Sequence, residues 1–163
     1  KIDGCGSGIR VARGVIAVAG GDDITVVSFH GTSGFTDEDV ECRAKQVAQV
    51  FDDLGDGQPG TNGASNLVLG DFNTDPSLMS GSDASADRWL AETADGKAFR
   101  FLTAHGGDAP GTYGGVFNID HVVSDAFEGT CWAAGVTEGQ PPVTETVFFD
   151  HVPLVCEVIR AIP

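Results

Sequence analysis

Basic side chains are scarce. Nine Lys and Arg stand against 24 Asp and Glu, a formal net charge of −15. A chain this acidic repels polyanions at long range, and no Lys/Arg cluster supplies the patch that sequence-independent nucleic-acid binding needs. The excess of carboxylates fits a solvated surface or additional cation sites. Long apolar runs are also missing, and none reaches the roughly 18 residues that span a bilayer. No CxxC pair occurs among Cys5, Cys42, Cys131 and Cys156, which argues against a zinc knuckle. There is no internal repeat and no low-complexity tract, so solenoids and linkers are set aside.

What remains is an ordinary globular composition. The chain of 163 residues is one domain by length and long enough to bury a sizeable core. The even count of cysteines allows two disulfides in any of three pairings, and two disulfides imply an oxidising compartment. Position narrows the choice. Cys42 is expected off the apolar stripe of a helix, free to pair outward, and Cys5 lies in a loose N-terminal segment that a tether would fix. Cys131 and Cys156 each adjoin an apolar segment. The expected pairs are therefore Cys5–Cys42 and Cys131–Cys156.

Val11 to Ala19 and Ile24 to Phe29 flank Gly20-Gly21-Asp22-Asp23, the pattern of a β-hairpin ending at His30. Thr36-Asp37-Glu38-Asp39 reads as a capping box. Val40, Ala44, Val47, Phe51 and Leu54 then recur at helical steps until Gly55. A Gly/Pro/Asn-rich loop covers Asp56 to Ser65. Further strands are expected at Asn66–Leu69, Ala98–Thr103, Phe117–Ser124, Val143–Phe149 and Val152–Ile159, with a weak helix over Asp87–Ala94. One strong helix among many strands gives an α/β class with a mixed sheet.

Four polar clusters follow apolar strands: His30, Asp71-Phe72-Asn73, Asp120-His121 and Asp150-His151. Imidazoles and carboxylates at strand ends can converge on one edge of a sheet. Leu69-Gly70-Asp71-Phe72-Asn73 resembles the GDFN motif of the endonuclease/exonuclease/phosphatase family. Ile119-Asp120-His121-Val122 resembles its IDHI strand, and Phe149-Asp150-His151-Val152-Pro153-Leu154 its closing SDHxPL motif. Val27-Ser28-Phe29-His30 resembles the strand that ends in the family's earlier histidine. The order agrees from about Arg13 to the C-terminus.

That resemblance implies a two-sheet α/β sandwich whose N-terminal part is missing, the whole of 1–163 being a portion of one domain. It implies a divalent-metal-dependent phosphoester hydrolase, a secreted or periplasmic phosphodiesterase or nuclease. Asp71 and Asn73 would orient water and hold a phosphate oxygen. Asp150 would bind Mg2+, or Mn2+ or Ca2+ in its place. His151 would pair with Asp120, and His30 would contact phosphate. His121 would reach phosphate or simply pair with a neighbour. The chemistry agrees: a phosphodiester needs its charge neutralised in the transition state, and a carboxylate-paired histidine can donate at neutral pH.

The family's metal-binding Glu and an earlier Asn have no counterpart before His30. A companion segment or chain is therefore expected to complete the sheet and donate a Glu. The substrate is a phosphoester, either nucleic acid or a small phosphodiester. A non-catalytic module that kept the fold and a phospholipase- or sphingomyelinase-like hydrolase are the alternatives. Asp75 is expected to open a turn and His105 to sit in a surface loop. Tyr113 and Trp132 are expected either to stack on a ligand or to pack.

Overall fold

The computed structural model describes residues 4–6, 8–54, 57–107, 109–136, 138–139 and 150–161. The hairpin forms as β1 (Val11–Ile16) and β2 (Ile24–His30), antiparallel. Helix α1 (Asp37–Phe51) then crosses over to β3 (Asn66–Asp71), which runs parallel to β2. After α2 (Ala84–Glu92) and the short β4 (Arg100–Phe101), β5 (Asp120–Ser124) pairs antiparallel with both β3 and β4. The mixed sheet has the order β1-β2-β3-β5-β4. A separate two-stranded sheet joins β6 (Phe127–Ala133) to β7 (Leu154–Arg160). The class is mixed α/β. The expected strand at Val143–Phe149 and the stop at Gly55 lie outside the described residues.

Alternation along the strands gives the sheet two unlike faces. On β2, Thr25, Val27 and Phe29 are buried, while Ser28 and His30 between and beyond them are exposed. The buried set meets Val47 and Val50 of α1, Val68 of β3, Val123 of β5, and Phe72 and Trp89 in one core cluster. Phe72 stacks on Trp89 with ring centroids 4.1 Å apart, and Phe29 meets both rings edge-on. On the other face, Leu67, Leu69 and Val122 look across an apolar groove of about 780 Å³ at Leu154, Cys156 and Val158 of β7.

Helix α1 keeps its expected cap, for the Thr36 hydroxyl accepts from the Asp39 N–H while the Asp39 carboxylate accepts from the Thr36 N–H. Its buried side differs from the apolar stripe. Cys42, Arg43, Gln46, Val47 and Val50 are the buried residues, and Leu54 lies beyond the helix, half exposed at 51%. The face toward the sheet contains two polar side chains because both have work at the adjoining loop. Cys42 is on that buried side, so the reason expected for its pairing is wrong although the partner is right. The disulfides are Cys5–Cys42 and Cys131–Cys156, the latter between directly opposed residues of β6 and β7.

β6 has no counterpart in the sequence reading. Glu128 and Gly129 interrupt its apolar pattern, and Gly129 adopts φ +153° against the carbonyl of Glu157. Among the described residues no helix is long and apolar enough to cross a membrane.

Candidate active site

Register assembles the site. His30 at the end of β2 lies opposite Asp71 of β3, and Asp71 lies opposite Asp120 of β5. Three strands thus deliver His30, Asp71 and Asp120 in one row at one edge of the open face. Gly70 is required there: its φ is +142°, and a Cβ would fall 2.0 Å from the carbonyl oxygen of Phe29. Only a residue without a side chain lets β2 and β3 meet this closely beside the carboxylate.

His151 comes to the row from the segment just before β7, where it bridges to Tyr113. Its Nδ1 lies 2.8 Å from Asp120 Oδ2, and its Nε2 lies 3.8 Å from Asp71 Oδ2. Thr112 is the joint that holds this meeting. Its hydroxyl oxygen accepts from the N–H groups of Ile119 and Asp120, and its carbonyl accepts from the N–H of Val152. Thr112 was not foreseen, since a lone threonine in a glycine-rich loop carries no pattern.

Asn73 is the only described non-glycine residue at positive φ, +49°, a conformation that asparagine tolerates better than most. Its N–H donates to Asp71 Oδ1 at 2.7 Å, and its side-chain amide donates to Asp71 Oδ2 at 2.8 Å and to the Gly31 carbonyl at 3.1 Å. These bonds fix the Asp71 carboxylate and leave Asn73 engaged within the chain. His30 sits at the rim, its Nε2 3.7 Å from Asp71 Oδ2. With Asp150, these side chains border a cleft of about 510 Å³. His30, Asp71, Asn73, Asp150 and His151 therefore line one space, and Asp120 touches it through His151.

The electrostatics separate the groups. Burial pulls the His151 imidazole down, but the hydrogen bond and charge of Asp120, then the charges of Asp71 and Asp150, outweigh it and hold the group above its ordinary value. Burial raises the Asp71 carboxyl. The Asn73 N–H opposes this, the nearby Asp120 charge adds to it, and the net shift is upward. An imidazole and a carboxyl, each held above its ordinary pKa, face each other across less than 4 Å.

His121 has the opposite fate. It projects to the helix side, is 1% exposed, and packs against Phe72 and Phe101. Its Nδ1 meets the Thr103 hydroxyl at 2.9 Å and its Nε2 the Asn118 carbonyl at 2.8 Å. Burial drives its pKa down to about 4. Of the two expectations for His121, pairing with neighbours is the one observed. Asp75 opens a turn, accepting from Ser77 and Leu78 N–H, and also accepts from Asn118 N–H. His105 stays in its surface loop beside Ser77. Tyr113 is 40% exposed, and its ring lies tilted against His151 with centroids 4.9 Å apart.

The loop after His30 is held from below. Arg43, fully buried, donates through Nε to Asp83 at 3.1 Å and through Nη1 to the Thr32 and Gly34 carbonyls. Gln46 accepts from Thr32 N–H and donates to the Thr32 hydroxyl. Among the described residues no group of three or more His, Cys, Asp or Glu side chains is gathered to hold a metal ion. The cleft does present carboxylate oxygens of Asp71 and Asp150, the donor type that Mg2+ prefers. No family model matches the chain, and no curated protein or solved structure matches it.

Proposed function

We propose that this chain carries the phosphate-handling part of a divalent-metal-dependent phosphodiesterase, a secreted enzyme of the endonuclease/exonuclease/phosphatase type with that family's two-sheet sandwich. The observation that carries this is the Asp120–His151 pair at 2.8 Å, facing an Asp71 carboxylate that Asn73 locks in place. An oriented, carboxylate-paired imidazole opposite an elevated carboxylate is an acid/base arrangement. The two disulfides fit an oxidising compartment.

Asp71 takes the proton of the attacking water as the water oxygen bonds to phosphorus. His151, oriented through Nδ1 by Asp120, gives its Nε2 proton to the leaving oxygen as the ester P–O bond breaks. His30, the outermost of the three, contacts a phosphoryl oxygen and offsets the charge that develops there. Asn73 acts through Asp71. Asp150 would hold the Mg2+, which when bound supplies charge neutralisation at the phosphate.

One carboxylate is a poor magnesium anchor, since the ion is usually held by one or two carboxylates with phosphate and water. A companion polypeptide would add a Glu and lay strands against the apolar groove between the two sheets, whose walls are of a kind that proteins seldom leave bare.

Hydrolysis of bis(p-nitrophenyl) phosphate by the full-length polypeptide with Mg2+ tests the proposal. Chelation should abolish turnover, and His151→Ala should lower kcat at least about a hundredfold, the usual scale for a positioned acid/base. Turnover that survives either change overturns the mechanism.

A further inference from the structure

The cleft has a second wall that phosphate chemistry does not use. Phe35, Tyr113 and Phe117 line the same cleft as the polar row. Phe35 is 73% exposed, and its ring centroid lies 6.1 Å from that of Phe117. Exposed phenylalanines on mobile tips are unremarkable, but these two stand on braced supports. Phe35 follows the loop whose carbonyls at Thr32 and Gly34 are held by buried Arg43. Phe117 and Tyr113 close a tight turn. Thr112 and Tyr113 N–H donate to the Phe117 carbonyl, and Val116 and Phe117 N–H donate to the Tyr113 carbonyl. Phe35 stands in water and Phe117 is half-buried, and rings on braced supports lose little on receiving a flat apolar partner, because much of the ordering cost is already met.

We infer that Phe35 and Phe117 form a stacking subsite for a nucleobase, so that the substrate is a short nucleotide phosphodiester. This rests on the reading of the polar row as a phosphate site. A base stacked on the exposed ring of Phe35 leaves its phosphate within the same cleft as His30, Asp71 and His151. Stacking on an aromatic side chain accepts any base, since each has a π-face. Net charge then selects for length. At −15 the chain disfavours a long polyanion, whereas a dinucleotide presents a single diester charge. Tyr113 already lies against His151, its ring tilted by 45°, and serves the imidazole rather than the base.

Titration calorimetry of the full-length protein against AMP, ribose 5-phosphate and phosphocholine tests the subsite. Adenosine is followed by NMR shifts of the Phe35 and Phe117 rings. AMP should bind about tenfold tighter than ribose 5-phosphate, within the range of single-base stacking. Phe35→Ala should erase that ratio while leaving the ribose 5-phosphate affinity unchanged. Its circular dichroism should stay native, because the side chain is mostly in water.

Equal binding of AMP and ribose 5-phosphate overturns the subsite and spares the phosphate site. If ribose 5-phosphate fails to bind while adenosine shifts both rings, the phosphate reading falls and the subsite stands. Adenosine that moves neither ring, or phosphocholine binding tighter than AMP, overturns the nucleobase assignment.

Discussion

Asp120 and His121 are neighbours in sequence and belong to different halves of the molecule. One looks onto the open face of the sheet, where Asp120 bonds His151 beside a cleft. The other looks into the closed face, where His121 is walled in by Phe72 and Phe101. The closed face buries its histidine, and burial outweighs the bond to the Asn118 carbonyl and lowers the pKa. The open face gathers carboxylates around its histidine and raises it. A single strand thus presents one imidazole as structure and steers another toward chemistry, according to which side of the pleat each approaches.

The largest effect should come from breaking the closed face. Trp89 is fully buried, with Phe72 stacked on it and Phe29 and Phe51 edge-on. Trp89→Ala should cost about 3–5 kcal/mol of folding stability by urea denaturation. Leu69→Ala, on the open groove, should cost less than half as much. Comparable losses would mean that both faces are core.

Acid should discriminate the faces next. His121 has a folded pKa of about 4 against an ordinary 6.5. Between those values the unfolded chain binds a proton that the folded chain refuses. Stability is therefore full above about pH 6.5 and falls toward pH 4, by about 2 kcal/mol at pH 5. His121→Gln should flatten that slope in urea midpoints measured from pH 7 to 5. An unchanged slope would show that the closed face carries no such penalty.

The smallest effect sharpens the open face. His151 must keep its proton to donate, and Asp120 is the chief group holding that proton on. The alkaline limb of kcat should lie above the ordinary histidine value, and Asp120→Asn should move it to lower pH. The acid limb, set by Asp71, should lie above the ordinary carboxylate value. A limb that stays put in Asp120→Asn would detach the pair from the reaction.

The elements most legible in the sequence were those whose pattern is physical. The hairpin, the capped helix and the strands bearing Asp71 and Asp120 rest on alternation, helical spacing and a capping box. Both cysteine pairs were also legible, Cys42 for the wrong reason. The residues that brace the site were not. Arg43, Gln46 and Asp83 are buried polar side chains, and in a hydrophobicity pattern they look like surface. Their role exists only once α1 lies under the loop at Thr32–Gly34. Likewise Asn73 looked like a phosphate ligand, and only its folded geometry reveals that its donors are spent on Asp71 and Gly31. The polar row itself was legible because each member ends or starts a strand.

Arg43 has a consequence for the order in which the molecule fails. A guanidinium keeps its charge at any pH a protein survives. Burial works against the charge of its partner Asp83, but the bonds from Ser85 and Arg43 prevail and hold that carboxyl below its usual value. The clamp under Phe35 should therefore still be closed when protonation of His121 has begun to pry the sheet apart. Acidification would act as a graded fuse: the fold's middle loosens first, while the loop bearing the aromatic wall stays latched until the carboxylate itself is titrated.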